Sequence, residues 1–123
     1  MPRTEVLLFR CKDGSIPFMA WWHGLTPGAR VKCAVRLKRL MDRGHELRRP
    51  DVDYLRDGIY ELRARFERIQ LRMLYFFQGS HIVVLSHGLT KRDVIPAREI
   101  HIAIMHRTLV EQDANRYCCR REI

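Results

Sequence analysis

Arginines stand inside runs of this chain that otherwise read as buried strands. Tyr60-Glu61-Leu62-Arg63 is followed by Leu71-Arg72-Met73-Leu74-Tyr75 and then by Ser86-His87-Gly88-Leu89-Thr90-Lys91-Arg92. An ionised guanidinium is costly to desolvate unless it is paired, so charge at such positions calls for a reason. Several guanidinium groups converging on one small sheet would form a site for a polyanion. Their planar forks of donors match phosphate or carboxylate oxygens.

Strand alternation sorts these side chains. In the first run Tyr60, Leu62, Ala64 and Phe66 share one face, and Glu61, Arg63 and Arg65 the other. In the second, Ile69, Leu71, Met73, Tyr75 and Phe77 make the apolar face, and Arg72 stands opposite with Leu74 and Phe76. In the third, His87 ends a face begun by Val83 and Leu85, just before Lys91 and Arg92. If Arg63, Arg65 and Arg72 share an open face with His87, Lys91 and Arg92 at its rim, the result is a phosphate-sized cationic site. The plainer alternatives are a Glu61 ion pair with Arg63 or Arg65 on a solvated face, and a satisfied histidine at a strand end.

The elements that must position these groups follow from pattern. Glu5 to Cys11 reads as a first strand, ended by the turn Lys12-Asp13-Gly14-Ser15. Ser15 or Asp13 can cap a short helix from about Pro17 to Gly24. Its aromatic residues Phe18, Trp21 and Trp22 read as core rather than as a stacking platform. Thr26-Pro27 opens a longer helix to about Arg43, closed by Gly44. Cys33, Ala34, Leu37, Leu40 and Met41 share one arc of that helix. Lys32, Arg36, Arg39 and Arg43 share another, with no acid between them. That ridge is either an ordinary solvated face or an electrostatic footprint for a nucleic-acid backbone.

Glu46 to Asp53 reads as a polar linker. Ile59–Phe66, Ile69–Gln78 and His81–Thr90 then form a three-stranded meander. Pro96 opens a last helix with Ile100, Ala103 and Ile104 on its buried side. The expected fold is α+β. A small antiparallel sheet, the N-terminal strand plus the meander, packs on one side against two N-terminal helices and a C-terminal helix. Residues 1–110 make one domain, and 111–123 a loose basic tail.

Composition bounds the function classes. A chain of 123 residues suits one compact domain, and 46% hydrophobic content argues against disorder. No apolar run approaches a membrane span and the N-terminus is not a secretory signal, so a cytoplasmic protein is expected. Twenty-three basic against 14 acidic side chains give a formal net charge of +9, carried overwhelmingly by arginine. The bias suits a partner of nucleic acid or of an acidic protein, or reflects a GC-rich genome. Cys11, Cys33, Cys118 and Cys119 give no zinc spacing, and neither do the histidines, so no metal or other cofactor is expected. Cys11 and Cys33 read as buried apolar residues.

Gly58-Ile59-Tyr60-Glu61-Leu62-Arg63, Leu71-Arg72-Met73-Leu74-Tyr75-Phe76, and His87 to Arg92 with Pro96, Glu99-Ile100 and Ala103 resemble the RelE/ParE toxin superfamily, in its HigB-like, phage-derived branch. Trp21 and the helix ending at Gly44 extend the resemblance over roughly residues 4 to 110. It implies a RelE-like fold and the toxin of a type II toxin–antitoxin system. The activity implied is that of a ribosome-dependent, metal-independent mRNA endonuclease. The alternatives are a ParE-like gyrase inhibitor without catalysis and an inactive antitoxin-binding member. The implied partners are mRNA, the ribosome and a cognate antitoxin with a helix-turn-helix domain, through which alone operator DNA would be reached. Position by position, Arg72 matches a phosphate- and transition-state-stabilising arginine, Lys91 and Arg92 the basic pair after the last strand, and Arg63 the arginine of the "ELR" motif. Arg65 is the alternative to Arg63 in the cleft. His87 is the candidate acid or base, its ordinary pKa being near 6.5. A lysine lowered by neighbouring arginines is the other. The best-known nucleases of the family carry a tyrosine soon after the basic pair. Here Asp93-Val94-Ile95-Pro96-Ala97-Arg98 has no aromatic, which leaves the proton-transfer groups open. Lys32, Arg36, Arg39, Arg43 and Arg65 are the expected RNA- or ribosome-binding residues.

Overall fold

The structure, a computed structural model, describes residues 3–90 and 93–121. Strand β1 (Glu5–Phe9) leads into helices α1 (Pro17–His23) and α2 (Pro27–Arg43), then a 3-10 turn at Gly44–Glu46. Strands β2 (Val52–Arg56), β3 (Ile59–Phe66), β4 (Ile69–Gln78) and β5 (Ile82–Thr90) follow. Helix α3 (Ala97–Gln112), the short α4 (Ala114–Tyr117) and β6 (Cys118–Cys119) complete the described chain. The fold is α+β, built on a sheet whose order among the described residues is β2-β3-β4-β5-β1-β6.

Local signals account for most boundaries. Thr26 caps α2, its side chain accepting from the Ala29 N–H at 3.3 Å, with Pro27 in the first turn. Gly44 closes α2 at a φ of +52, where a Cβ would meet the Thr4 hydroxyl. Asp13 does not cap α1. Its carboxylate accepts from the Ser15 N–H and hydroxyl, holding the preceding turn, and the N-cap position falls to Ile16. Gly88 is a strand glycine because Trp21 lies over it: a Cβ there would come 2.1 Å from the indole ring.

Four expectations change. First, Val52 and Asp53, expected at the end of a linker, open a strand, Val52–Arg56, that pairs with β3 as a hairpin. Asp57-Gly58 makes the turn with both φ values positive, and an Asp-Gly pair is a strong hairpin signal. Second, β1 runs parallel to β5, with Glu5–Leu8 opposite Ile82–Leu85, while β2 to β5 are antiparallel. Third, helices cover both faces. α1 and α2 bury Leu62, Leu71, Met73, Tyr75 and Leu85 on one side. α3 buries Ile59, Leu74, Phe76 and Val84 on the other. Every second residue of β4 therefore has its own core, which is why Leu71 to Phe76 is buried without a break. Fourth, within the stretch expected to be a loose tail, Ala114–Tyr117 forms α4 and Cys118–Cys119 forms β6, which pairs with β1. The four cysteines are free thiols; Cys33 and Cys118 are buried, and Cys11 and Cys119 partly so.

Candidate nucleic-acid interface

Sheet register sets the site. Glu61, Leu74 and His87 form one row across β3, β4 and β5, and Arg63, Arg72 and Leu89 the next. Arg65 and Gln70 form a third. The charged members of these rows point to the α3 side. Arg63 and Arg72 are direct cross-strand partners, and like charges in that arrangement repel. Glu61 resolves the conflict. Arg72 Nη1 donates to Glu61 Oε2 at 3.1 Å and Oε1 at 3.3 Å, and Arg63 Nε lies 3.5 Å from Oε1. Arg72 Nη2 donates to Gln70 Oε1 at 3.1 Å. The Glu61 side chain is only 2% exposed and that of Arg72 8%. Arg72 Nε is buried with no partner among the described residues. The face expected to lie open is closed at this point, and Arg72 sits beneath the surface while Arg63, at 38%, reaches it.

His87 occupies a different environment. A β-bulge inserts Ser86 between the Leu74–His87 and Tyr75–Leu85 pairs, so that Ser86 and His87 both turn toward α3. Ser86 Oγ lies 2.8 Å from His87 Nδ1 and 2.7 Å from His106 Nδ1. His87 Nε2 is 3.4 Å from Glu99 Oε1, near enough for an electrostatic contact but without hydrogen-bond alignment. One hydroxyl proton cannot serve two ring nitrogens, so one imidazole must donate from Nδ1. The consistent assignment has His106 Nδ1–H donating to Ser86, Ser86 donating to His87 Nδ1, and His87 Nε2–H facing Glu99. The reverse would turn a bare Nε2 lone pair toward a carboxylate. Burial holds the His87 pKa below the usual value, and Glu99 opposes that shift. Burial, with His87 nearby, brings His106 down to about 4.

The open basic surface lies at the β3 edge. Arg36, Arg63, Arg65 and Gln70 line a cavity of about 250 Å³ with Pro50 and Ala64. A second, of about 160 Å³, is lined by Lys32, Val35, Arg36, Arg39 and Arg65. Arg36 and Arg65 belong to both. The helical ridge and the sheet arginines, separate in the sequence, thus meet in one groove. Asp51 supplies the acid missing from the ridge: it accepts from Arg36 Nη1 at 2.6 Å and from Arg39 Nη1 at 3.1 Å. Arg43 lies elsewhere, beside Asp42, Glu46 and His81. Lys91 and Arg92 fall outside the described residues. Sequence reasoning did not pick out Gln70, Asp51, Ser86 or His106. Gln70 could be found from the register, being two residues before Arg72. The other three needed the fold. Among the described residues no cluster of His, Cys, Asp or Glu could hold a metal ion, and no helix is long and apolar enough to cross a membrane.

The model of a family described as phage-derived Gp49-like proteins (DUF891) matches residues 20–107, from α1 into α3. The chain belongs to that family. The Gp49-like family is related to the RelE/HigB toxin group and is commonly tied to toxin–antitoxin systems. The match spans all of β2 to β5, the strands that carry the clustered arginines. A comparison with curated proteins finds no match.

Proposed function

We propose that this chain is the toxin of a type II toxin–antitoxin pair, of the HigB-like branch, and that it arrests translation by cutting mRNA on the ribosome. The observation that carries the reading is the meeting of Arg36, Arg63 and Arg65 around one phosphate-sized cavity. Supporting it are the Gp49-like family and the placement of Arg72 in the row of Arg63 and of His87 in the row beside it. The cavity holds a backbone phosphate through Arg63 and Arg65. The adjacent 2′-OH gives its proton to a base and attacks that phosphate. The P–O5′ bond breaks as an acid protonates the departing 5′-oxygen, leaving a 2′,3′-cyclic phosphate and a 5′-hydroxyl. The guanidinium groups stabilise the charge of the phosphorane. Arg72 acts from below by holding Glu61, which in turn positions Arg63. His87 is the candidate acid or base, its Nδ1 reached through the Ser86 hydroxyl, and Lys91 and Arg92 are the further cations that the family resemblance assigns to the reaction. The partners are mRNA, the ribosome and a helix-turn-helix antitoxin whose acidic segment covers the groove. The site of action is the bacterial cytoplasm.

The burial of Arg72 and His87 favours a second reading, in which the protein keeps the fold and acts by binding. It would then inhibit gyrase, or serve only as an antitoxin-binding subunit. Induction in a bacterial host followed by primer extension on mRNA separates the two. The nuclease reading expects growth arrest with discrete new 5′ ends inside codons, and loss of both in an R63A/R65A variant that still folds. Arrest with altered supercoiling and no cuts, or arrest retained by the variant, overturns it.

A further inference from the structure

On the opposite face of the sheet from His87, three tyrosines stand in one row. Tyr54 pairs with Tyr60, and Tyr60 with Tyr75, across β2, β3 and β4. Their rings touch in sequence, 5.0 Å apart edge-on and then 5.4 Å apart stacked. Phe77 packs at right angles to Tyr60, and His45 stacks on Phe77 at 3.5 Å. The inner end of the row is core, with Tyr75 1% exposed, whereas Tyr54 at the outer end is 54% exposed. Tyr54 is nonetheless held in place, because its hydroxyl accepts from the Gly58 N–H at 2.9 Å. The outer rings border a cavity of about 830 Å³ whose rim carries Arg48 and Arg49.

We infer that this cavity is a base-stacking subsite for single-stranded RNA, a reading that rests on the basic groove being an RNA site. Base faces stack on tyrosine with little regard to sequence, and arginines beside them hold the phosphates. Arg48 donates to the backbone carbonyls of His45 and Leu47, and among the described residues no carboxylate pairs with it. The acid in the cavity wall, Asp53, is already taken by Arg49 at 2.9 Å. The aliphatic lining, Leu47 and Val52, is buried at 4% and 6%. The cavity therefore offers rings and cations, not the apolar stripe that a partner helix requires. It also adjoins the groove, without sharing a lining residue with it. The segment from Leu47 to Val52 separates the two, with Arg48 and Arg49 on one side and Pro50 on the other. Tyr60 and Arg65 lie about 17 Å apart along β3 on opposite faces of the strand, so an RNA strand that occupies both passes over the Leu47–Val52 segment.

The test uses the purified full chain with two fluorescent probes, a short oligouridylate and an abasic oligoribonucleotide of equal length. Tyr54→Ala is expected to weaken oligouridylate binding about tenfold and to leave the abasic probe unchanged. Tyr54→Phe also loses the Gly58 contact but keeps the ring, and is expected to bind oligouridylate like the parent. Equal binding of oligouridylate by Tyr54→Ala overturns the inference. So does equal weakening of both probes, or a Tyr54-dependent grip on an acidic peptide in place of RNA. The R63A/R65A variant should lose affinity for both probes. If it loses neither while Tyr54→Ala still loses oligouridylate, the groove reading fails and the stacking subsite stands.

Discussion

Glu61 is the residue on which the candidate site turns. Two guanidinium groups paired across neighbouring strands would drive each other apart, and one of them is nearly out of solvent. A carboxylate that accepts from Arg72 and lies within ion-pair distance of Arg63 converts that repulsion into an ion-pair triad. Such a triad adds little net stability compared with apolar side chains, but removing one member strands an uncompensated charge. Glu61→Ala is therefore expected to cost about 3–5 kcal/mol in denaturant unfolding, far more than an average substitution. Replacing Glu61 and Arg72 together with methionine should recover most of that loss, because no charge is then left buried. A double variant as unstable as Glu61→Ala would show that Arg72 contributes through packing and not through its charge. The consequence for function is a division of labour. Arg72, the lone charge in the middle of its strand, is paired in place by Glu61, and Arg63 reaches the surface. Alternation placed both arginines on one face correctly. It could not show which was covered, since exposure depends on α3, more than twenty residues away in sequence.

At the level of elements, α3 is tied to the sheet by a polar contact as well as by its apolar side. His106 stacks on Phe9 at 3.7 Å and bonds to the bulged Ser86. Its pKa of about 4 in the folded chain, against an ordinary 6.5, means that the unfolded state takes up a proton first as pH falls. The stability this contributes is complete above pH 6.5 and is lost as pH drops toward 4. Its upper limit is about 3 kcal/mol. His87, also lowered, acts in the same direction. Melting temperature should therefore fall by several degrees between pH 7 and pH 4.5, and His106→Phe, which keeps the stacking but cannot titrate, should flatten part of that slope. Identical slopes in parent and variant would contradict the buried neutral imidazole. The elements themselves were largely legible: α1, α2, the three long strands and the start of α3 follow from periodicity, proline and glycine. Three features escaped for physical reasons. β2 is a short edge strand whose arginine and aspartate residues look like linker, although Asp57-Gly58 marks its hairpin. The parallel β1–β5 pairing is a long-range contact without local trace. The Ser86 bulge shifts side chains by one position, which an alternating pattern cannot register.

For the whole molecule, the question is whether the net charge of +9 acts as a diffuse attraction or through a place. The fold argues for a place. Arg10 is spent on the carbonyls of Asn115 and Arg116, Arg30 on those of Trp22 and His23, and Arg120 on Glu5. At the β3 edge, in contrast, five cations meet two carboxylates, Asp51 and Glu61, so positive charge remains in excess there. Counterion release makes this measurable. For single-stranded nucleic acid the logarithm of affinity falls with the logarithm of salt by roughly 0.7 per phosphate neutralised. Removing Arg63 and Arg65 together should reduce that slope by roughly 1.4 for a short oligouridylate. Removing Arg116 and Arg120, which carry the same charge and are at least as exposed but lie by β6, should leave it unchanged. If the two pairs lower the slope alike, binding is a property of net charge, and the arginine-rich composition is merely compositional. If only the first pair does, the arginines that looked misplaced inside strands are where the chain meets its polyanion.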